Sequence, residues 1–289
     1  MTRTEDIHVS HRLSRSSAIA STAILLLGLA GCGSRTGTAS PSGPAQAAVS
    51  LAPTPSSGST LTPTSSPTPS VAPTPRPTPD LSGPIDPAKF TATIDNPWLP
   101  FVPGTVFTYT GTKDGEAAVD VVTVTARTAV IDGVTCVLIE DRLKLRDVLE
   151  EETVDYYTQD IFGNVWYFGE DTKELDAKGR VTSREGTWHA GVDGAVPGVF
   201  MEAEPTIGND YAQEFYKGHA EDHFRVKSLT ASVTVPAGSY TGVLLTEEWT
   251  PLEPDVLDNK YYVKGIGEVR EVAVKGPREE LRLVKVDRP

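Results

Sequence analysis

Three sets of side chains in this 289-residue chain have types and spacings that could carry chemistry. The first is carboxylate. Glu170 and Asp171 follow the aromatic run Trp166-Tyr167-Phe168, and Glu202, Glu204, Glu214, Glu221 and Asp222 come later, in loop-like sequence. Glycoside hydrolysis needs two carboxyl groups flanking one bond, one to protonate the leaving oxygen and one as nucleophile or base. Glu170 and Glu214 are the candidate catalytic pair, with neighbouring aromatics to stack on a sugar. In so acidic a chain such pairs also arise by chance, and a solvated face is the simpler expectation.

The second set is imidazole. His219 and His223 stand four apart, and His189 could join them to hold zinc, which takes three or four N, O or S ligands. Alanine follows His219, so the His-Glu-x-x-His arrangement of zinc hydrolases is absent. Phe224-Arg-Val226 reads as entry into a strand, and in extended chain the two imidazoles stand about 13 Å apart. Asp155 to Glu170 is rich in oxygen donors but lacks the Asp-x-Asp-x-Asp-Gly pattern of a calcium loop. With no Gly-x-Ser-x-Gly, Walker or dinucleotide fingerprint either, no metal and no cofactor is expected.

The third set is aromatic. Trp166, Trp188, Tyr261 and Tyr262 could line a ligand groove, although aromatic residues in strands more often fill cores. Cys136 sits in the apolar run Val134 to Ile139 with no histidine nearby, and reads as buried filler rather than a nucleophile.

The elements that must position these groups read as strands. Thr105–Thr110, Val119–Val130, Thr135–Leu145, Val154–Tyr157, Val165–Phe168 and Val181–Trp188 are β-branched and aromatic. Ser228–Val235, Tyr240–Trp249, Lys260–Val263, Gly267–Lys275 and Leu281–Val286 continue the series. Asp132-Gly133 is a hairpin signal, Pro236-Ala-Gly-Ser239 a turn, and Gly265-Ile-Gly267 another. Only Leu143–Glu152 approaches helical spacing. Gly191–Gly198 and Asp210–His223 interrupt the rhythm and read as loops. The expectation is all-β: an antiparallel sheet curled into a barrel or half-barrel.

Before this domain the composition changes twice. Arg3, Arg12 and Arg15 precede an apolar stretch from Ala18 to Ala30, about thirteen residues where a membrane span needs about twenty. A positive flank, a short apolar core and small residues at its end predict a secretory signal over residues 1–31. Eleven of the 23 prolines lie between Pro41 and Pro79, amid Ser and Thr. Residues 32–79 therefore read as a disordered, extended spacer, compatible with O-glycosylation. The domain proper spans residues 80–289. Of 26 Lys and Arg and 39 Asp and Glu, five and two lie before Asp80, leaving the domain 21 against 37, a formal charge of −16. That excess argues against nucleic acid and against adsorption to anionic lipid.

Two resemblances follow. Leu29-Ala30-Gly31-Cys32 resembles the lipobox of bacterial lipoproteins, which implies cleavage before Cys32, a diacylglycerol thioether on its sulfur and palmitate-type acylation. It also implies an extracytoplasmic domain anchored to the cell membrane. Asn96–Tyr109, Asp155–Asp171, Trp188–Gly198, Tyr211–Asp222 and Lys260–Glu271 are similar to a group of uncharacterised bacterial secreted and lipoprotein domains. The Tyr-Tyr-x-x-Gly-x-Gly pattern starting at Tyr261 is more loosely similar to LolA/LolB-type half-barrels, which implies a concave face for a lipophilic or cell-envelope ligand. The functional expectation is a tethered binding or accessory domain. A carboxylate-dependent cell-wall or carbohydrate hydrolase and a structural envelope component stand as alternatives.

Overall fold

The computed structural model describes residues 85–113 and 115–289. The signal segment 1–31, the spacer 32–79 and Cys32 lie outside the described residues. After a single 3-10 turn at Pro87–Lys89 the regular elements of the described residues are all strands: β1 (Phe90–Thr91), β2 (Val106–Lys113), β3 (Glu116–Ile131), β4 (Val134–Leu145), β5 (Val148–Asp160), β6 (Val165–Leu175), β7 (Val181–Ser183) and β8 (Trp188–His189). Then come β9 (Val196–Met201), β10 (Asp210–Ala212), β11 (Glu214–Phe215), β12 (His223–Val235), β13 (Gly238–Trp249), β14 (Leu257–Val263), β15 (Gly267–Lys275) and β16 (Glu280–Asp287). The all-β expectation holds. No helix of the described residues is long and apolar enough to cross a membrane.

Hairpin chemistry sets the pairing of neighbours. Asp132 and Gly133 both have positive φ (46° and 78°), the two-residue turn whose twist matches that of the flanking strands. A second such turn overrides the one helix-like stretch. Leu143–Glu152 is not helical; Arg146 and Asp147 take φ of 50° and 64°, and Leu145 faces Val148 across the hairpin. No Gly or Asn marks that turn. The inward alternation of Ile139, Asp141 and Leu143 outweighs the local helical spacing.

The strands form one antiparallel sheet in the order β10-β12-β13-β14-β15-β16-β2-β3-β4-β5-β6-β9-β11, with β1, β7 and β8 paired outside that path. The stretch expected to be a loop, Asp210–His223, supplies both ends of this order. β10 pairs with β12, and β11, one residue further on, pairs with β9. Gln213 lies between them. Its backbone N–H donates to the Asp222 carbonyl on the β12 side (2.8 Å), and its Nε2 donates to the Phe200 carbonyl on the β9 side (3.4 Å). The sheet is thereby curled into a nearly closed barrel.

One end of the barrel is plugged. The segment Asn96-Pro-Trp-Leu-Pro-Phe101 folds in, with Ile94 bridging to Phe101. Asn96 Oδ1 accepts from the backbone N–H of Trp98 (2.8 Å) and Leu99 (3.1 Å), and Asn96 Nδ2 donates to the Gly163 carbonyl (2.8 Å). Phe101 packs on Tyr157 at 5.3 Å between ring centroids. Phe107, Val122, Val124, Ile139 and Val269 complete an apolar core around them. On the outside of the wall Phe90 covers Trp166 and Phe168, edge to face. The plug leaves the opposite end, where the β2–β3 and β4–β5 hairpins lie, to be filled by something else.

Candidate ligand cavity

What fills that end is polar. Strand alternation that carries Val122 and Val124 inward also carries Asp120 inward, and the alternation of Ile139 and Leu143 carries Asp141 inward. Tyr109 faces Asp120 on one side and Leu143 faces it on the other, so Asp120 and Asp141 are diagonal neighbours on the inner face. Burial pushes the Asp141 carboxyl well above the ordinary carboxylate range, and the charge of Asp120 and a hydrogen bond to it push the same way. Two adjacent buried carboxyls cannot both ionise cheaply.

Across the barrel β14 and β15 contribute Asp258, Lys260, Glu268 and Glu271. Lys260, 0 % exposed, makes ion pairs with Glu248 (3.1 Å), Glu271 (3.9 Å) and Glu268 (4.0 Å). Glu248 also accepts from Tyr262 Oη (3.1 Å) and Thr246 Oγ1 (3.2 Å). Burial raises Glu268 well above the carboxylate range against the opposing charge of Lys260, with Glu271 and Glu248 adding to the rise. Tyr109 Oη donates to the Glu268 carbonyl (3.0 Å) and joins the two walls.

Between these walls lies a small cavity that opens to solvent at its mouth. Asp120, Asp141, Asp258, Glu268 and Glu271 line it together with Lys113 and the rim residues Glu279 and Glu280. Tyr109, Leu143, Ala273 and Leu281 give it an apolar strip. Burial would lower the Lys113 ammonium, but the charges of Glu151, Glu279, Glu271 and Asp120 outweigh it and hold the pKa raised. None of the cavity acids was singled out from sequence. The available signal was an acid standing at the parity of an apolar strand face, as Asp120 does beside Val122 and Val124.

The residues expected from sequence are placed elsewhere. Glu170 and Glu214 do not form a solvated face: they are 1 % and 8 % exposed, inside the wall, and do not line the cavity. They are nevertheless brought close, since Glu170 stands opposite Trp188 in the β6–β8 register and Trp188 Nε1 donates to Glu214 Oε2 (2.9 Å). Asp155 faces Glu170 across β5–β6 and accepts from Tyr167 Oη (2.8 Å). A bulge makes this possible. Tyr157 pairs with Tyr167 and Asp155 with Glu170, so β6 carries one extra residue, and Tyr167 and Glu170 share the inner face despite their odd-even spacing. Gly169 allows it, with φ of 131° and a Cβ position only 2.2 Å from the Trp188 carbonyl oxygen.

Trp166, Trp188, Tyr261 and Tyr262 line no common groove. Trp188 and Tyr262 are inside, Trp166 donates to Asp160 beneath Phe90, and Tyr261 carries the Arg270 guanidinium on its ring. The histidines also have separate partners. His189 lies 3.3 Å from Asp171, His219 stacks on Tyr216, and His223 stacks on Trp249 beside Asp210. Among the described residues no three His, Cys, Asp or Glu side chains converge as a metal ion requires.

No family model and no curated protein matches the chain. Two crystal structures are similar to it. One is a Bacteroides fragilis protein assigned as exported, with a YmcC-like fold: 16% identical, covering 66% of this chain and 99% of that one, TM-score 0.38. The other is a Parabacteroides distasonis protein assigned as a lipoprotein: 10% identical, covering 65% and 97%, TM-score 0.36.

Proposed function

We propose that the protein is a membrane-tethered, extracytoplasmic ligand-binding domain whose binding site is the cavity at the unplugged end of the barrel. The observation that carries this reading is an asymmetry: one end is packed solid by the Asn96–Phe101 plug, while the other keeps a cavity lined by charged side chains. A purely structural barrel has no use for so costly an interior. Moving carboxylates out of water costs several kcal/mol each unless they are paired, and proteins retain such groups where they bind or react.

Tethering rests on the Leu-Ala-Gly-Cys box and the proline-rich spacer. Two acyl chains hold a protein to a bilayer where one does not. The lining bears on the two other readings. A lipophilic cargo would have to lie against the seven acids that stand among the thirteen lining residues. Hydrolysis by Glu170 and Glu214 needs both open to substrate, and both are enclosed in the wall.

The test has two arms. Cys32→Ser is expected to shift the protein from the membrane fraction to the soluble fraction without changing the melting temperature. Native mass spectrometry of protein extracted from its host is expected to show a bound small molecule that disappears in Leu281→Trp, where an indole occupies the cavity. Retention of Cys32→Ser in the membrane, or identical spectra with and without the indole, counts against the reading.

A further inference from the structure

We propose that the cavity takes a small primary alkylammonium ion, its head between Asp120 and Glu268 and its methylenes along Leu143 and Leu281. This rests on the ligand-binding reading above and names the chemistry of the ligand.

Two carboxylate oxygens in the cavity wall have no hydrogen-bond donor. Asp120 is 7 % exposed and Glu268 3 %, yet Oδ1 of Asp120 and Oε2 of Glu268 accept no hydrogen bond. The nearest cation to the latter is Lys260 at 4.0 Å. A buried acceptor left without a donor costs more than a hydrogen bond returns. Both oxygens belong to residues lining the same cavity, so an N–H donor entering it would meet them.

The cavity already holds one group of this kind. Lys113 reaches it from the end of β2, a cationic head on an alkyl stem, and Glu151, Glu279, Glu271 and Asp120 hold it charged. The resident lysine therefore displays the arrangement that a free amine would repeat, and also competes with it.

The lining separates an ammonium from a metal ion. Magnesium and calcium need six or more oxygens around one point, and the described acids do not converge in threes. An ammonium has three donors and can draw them from separate walls. The apolar strip of Tyr109, Leu143, Ala273 and Leu281 has no function for a bare ion but is where an alkyl chain would lie.

The experiment is calorimetric titration of the purified full-length protein with n-pentylamine, n-pentanol and calcium chloride at matched ionic strength. We expect n-pentylamine to bind saturably and n-pentanol at least tenfold more weakly. Asp120→Asn should weaken the amine at least tenfold, and Lys113→Met, which removes the resident competitor, should tighten it. Should Asp120→Asn fail to fold, Leu281→Trp serves in its place and should abolish binding. Equal binding of amine and alcohol overturns the inference, as does calcium binding that the amine cannot displace. If no probe binds but host-extracted protein carries another molecule that Leu281→Trp excludes, the ammonium inference fails and the ligand-binding reading stands. If neither a probe nor a native ligand is found, both fail.

Discussion

A methyl group on Gly198 would lie 2.2 Å from both the carbonyl carbon and the carbonyl oxygen of Gln213. The two backbones touch where β9 meets the residue that joins the ends of the sheet. Only hydrogen fits there, so the closure of the barrel depends on one missing side chain.

Gly198→Ala is therefore expected to lower stability by about 2–3 kcal/mol, the upper part of the range for forcing an extra carbon into a packed site. Urea denaturation followed by tryptophan fluorescence reads it directly. An unchanged midpoint would show that the seam is not a structural constraint.

Asp160 organises the β5–β6 turn. Its Oδ1 accepts from the N–H of Phe162 (2.8 Å) and Asn164 (2.9 Å), and its Oδ2 from Asn164 Nδ2 and Trp166 Nε1 (both 2.9 Å). Asp160→Ala strands several buried donors at once and should cost about 3 kcal/mol, at about 1–3 for each group left unsatisfied. Asp160→Asn, which keeps an acceptor, should cost less. Equal losses for the two variants would argue against this account.

The buried acids set an unusual dependence on pH. Burial, the first cause in each case, raises Asp141, Asp155, Glu214 and Glu268 well above the carboxylate range. For Asp155 the Tyr167 hydrogen bond opposes the rise; for Glu214 Asp222 adds to it while Trp188 opposes it. In the unfolded chain these groups lose their protons near pH 4. Between that pH and their raised folded values the native state binds more protons, so this contribution to stability is whole below about pH 4 and falls as pH rises. Glu214→Gln keeps an acceptor for Trp188 Nε1 and removes one such group. Its stability should exceed that of the parent at pH 7 and match it more closely at pH 4, as measured by thermal melts at the two values. A uniform difference across pH would contradict the assignment.

Cys136 is buried, and burial pushes its thiol up to about 12. The thiolate is the nucleophile, so alkylation in the native state should proceed at the rate of unfolding and accelerate with urea. Rapid stoichiometric labelling in the absence of denaturant would place the thiol at a surface.

Most strands were legible because one face of each is buried and period-2 alternation records that face. The Asp132-Gly133 hairpin was legible because its residues tolerate left-handed backbone. The seam at Gln213 was not, because two- and three-residue strands have too little alternation to be seen and their pairing is wholly long-range. The cavity was missed for a different reason. Asp120 lies unremarked inside the Val119–Val130 run, and only its position in the alternation, not its residue type, points inward. The inward placement of Glu170 was hidden by the extra residue at the Gly169 bulge, which breaks the parity that would have tied it to Tyr167.

The protonated interior also changes what the protein is to its surroundings. The formal charge of −16 over residues 80–289 counts every carboxyl as ionised and outward, whereas Asp141, Asp155, Glu214 and Glu268 are enclosed and hold their protons to higher pH. The folded domain is a weaker polyanion than its composition implies. It should elute earlier from an anion exchanger than the unfolded chain does. Each molecule that folds at neutral pH takes up protons from the medium as its barrel closes.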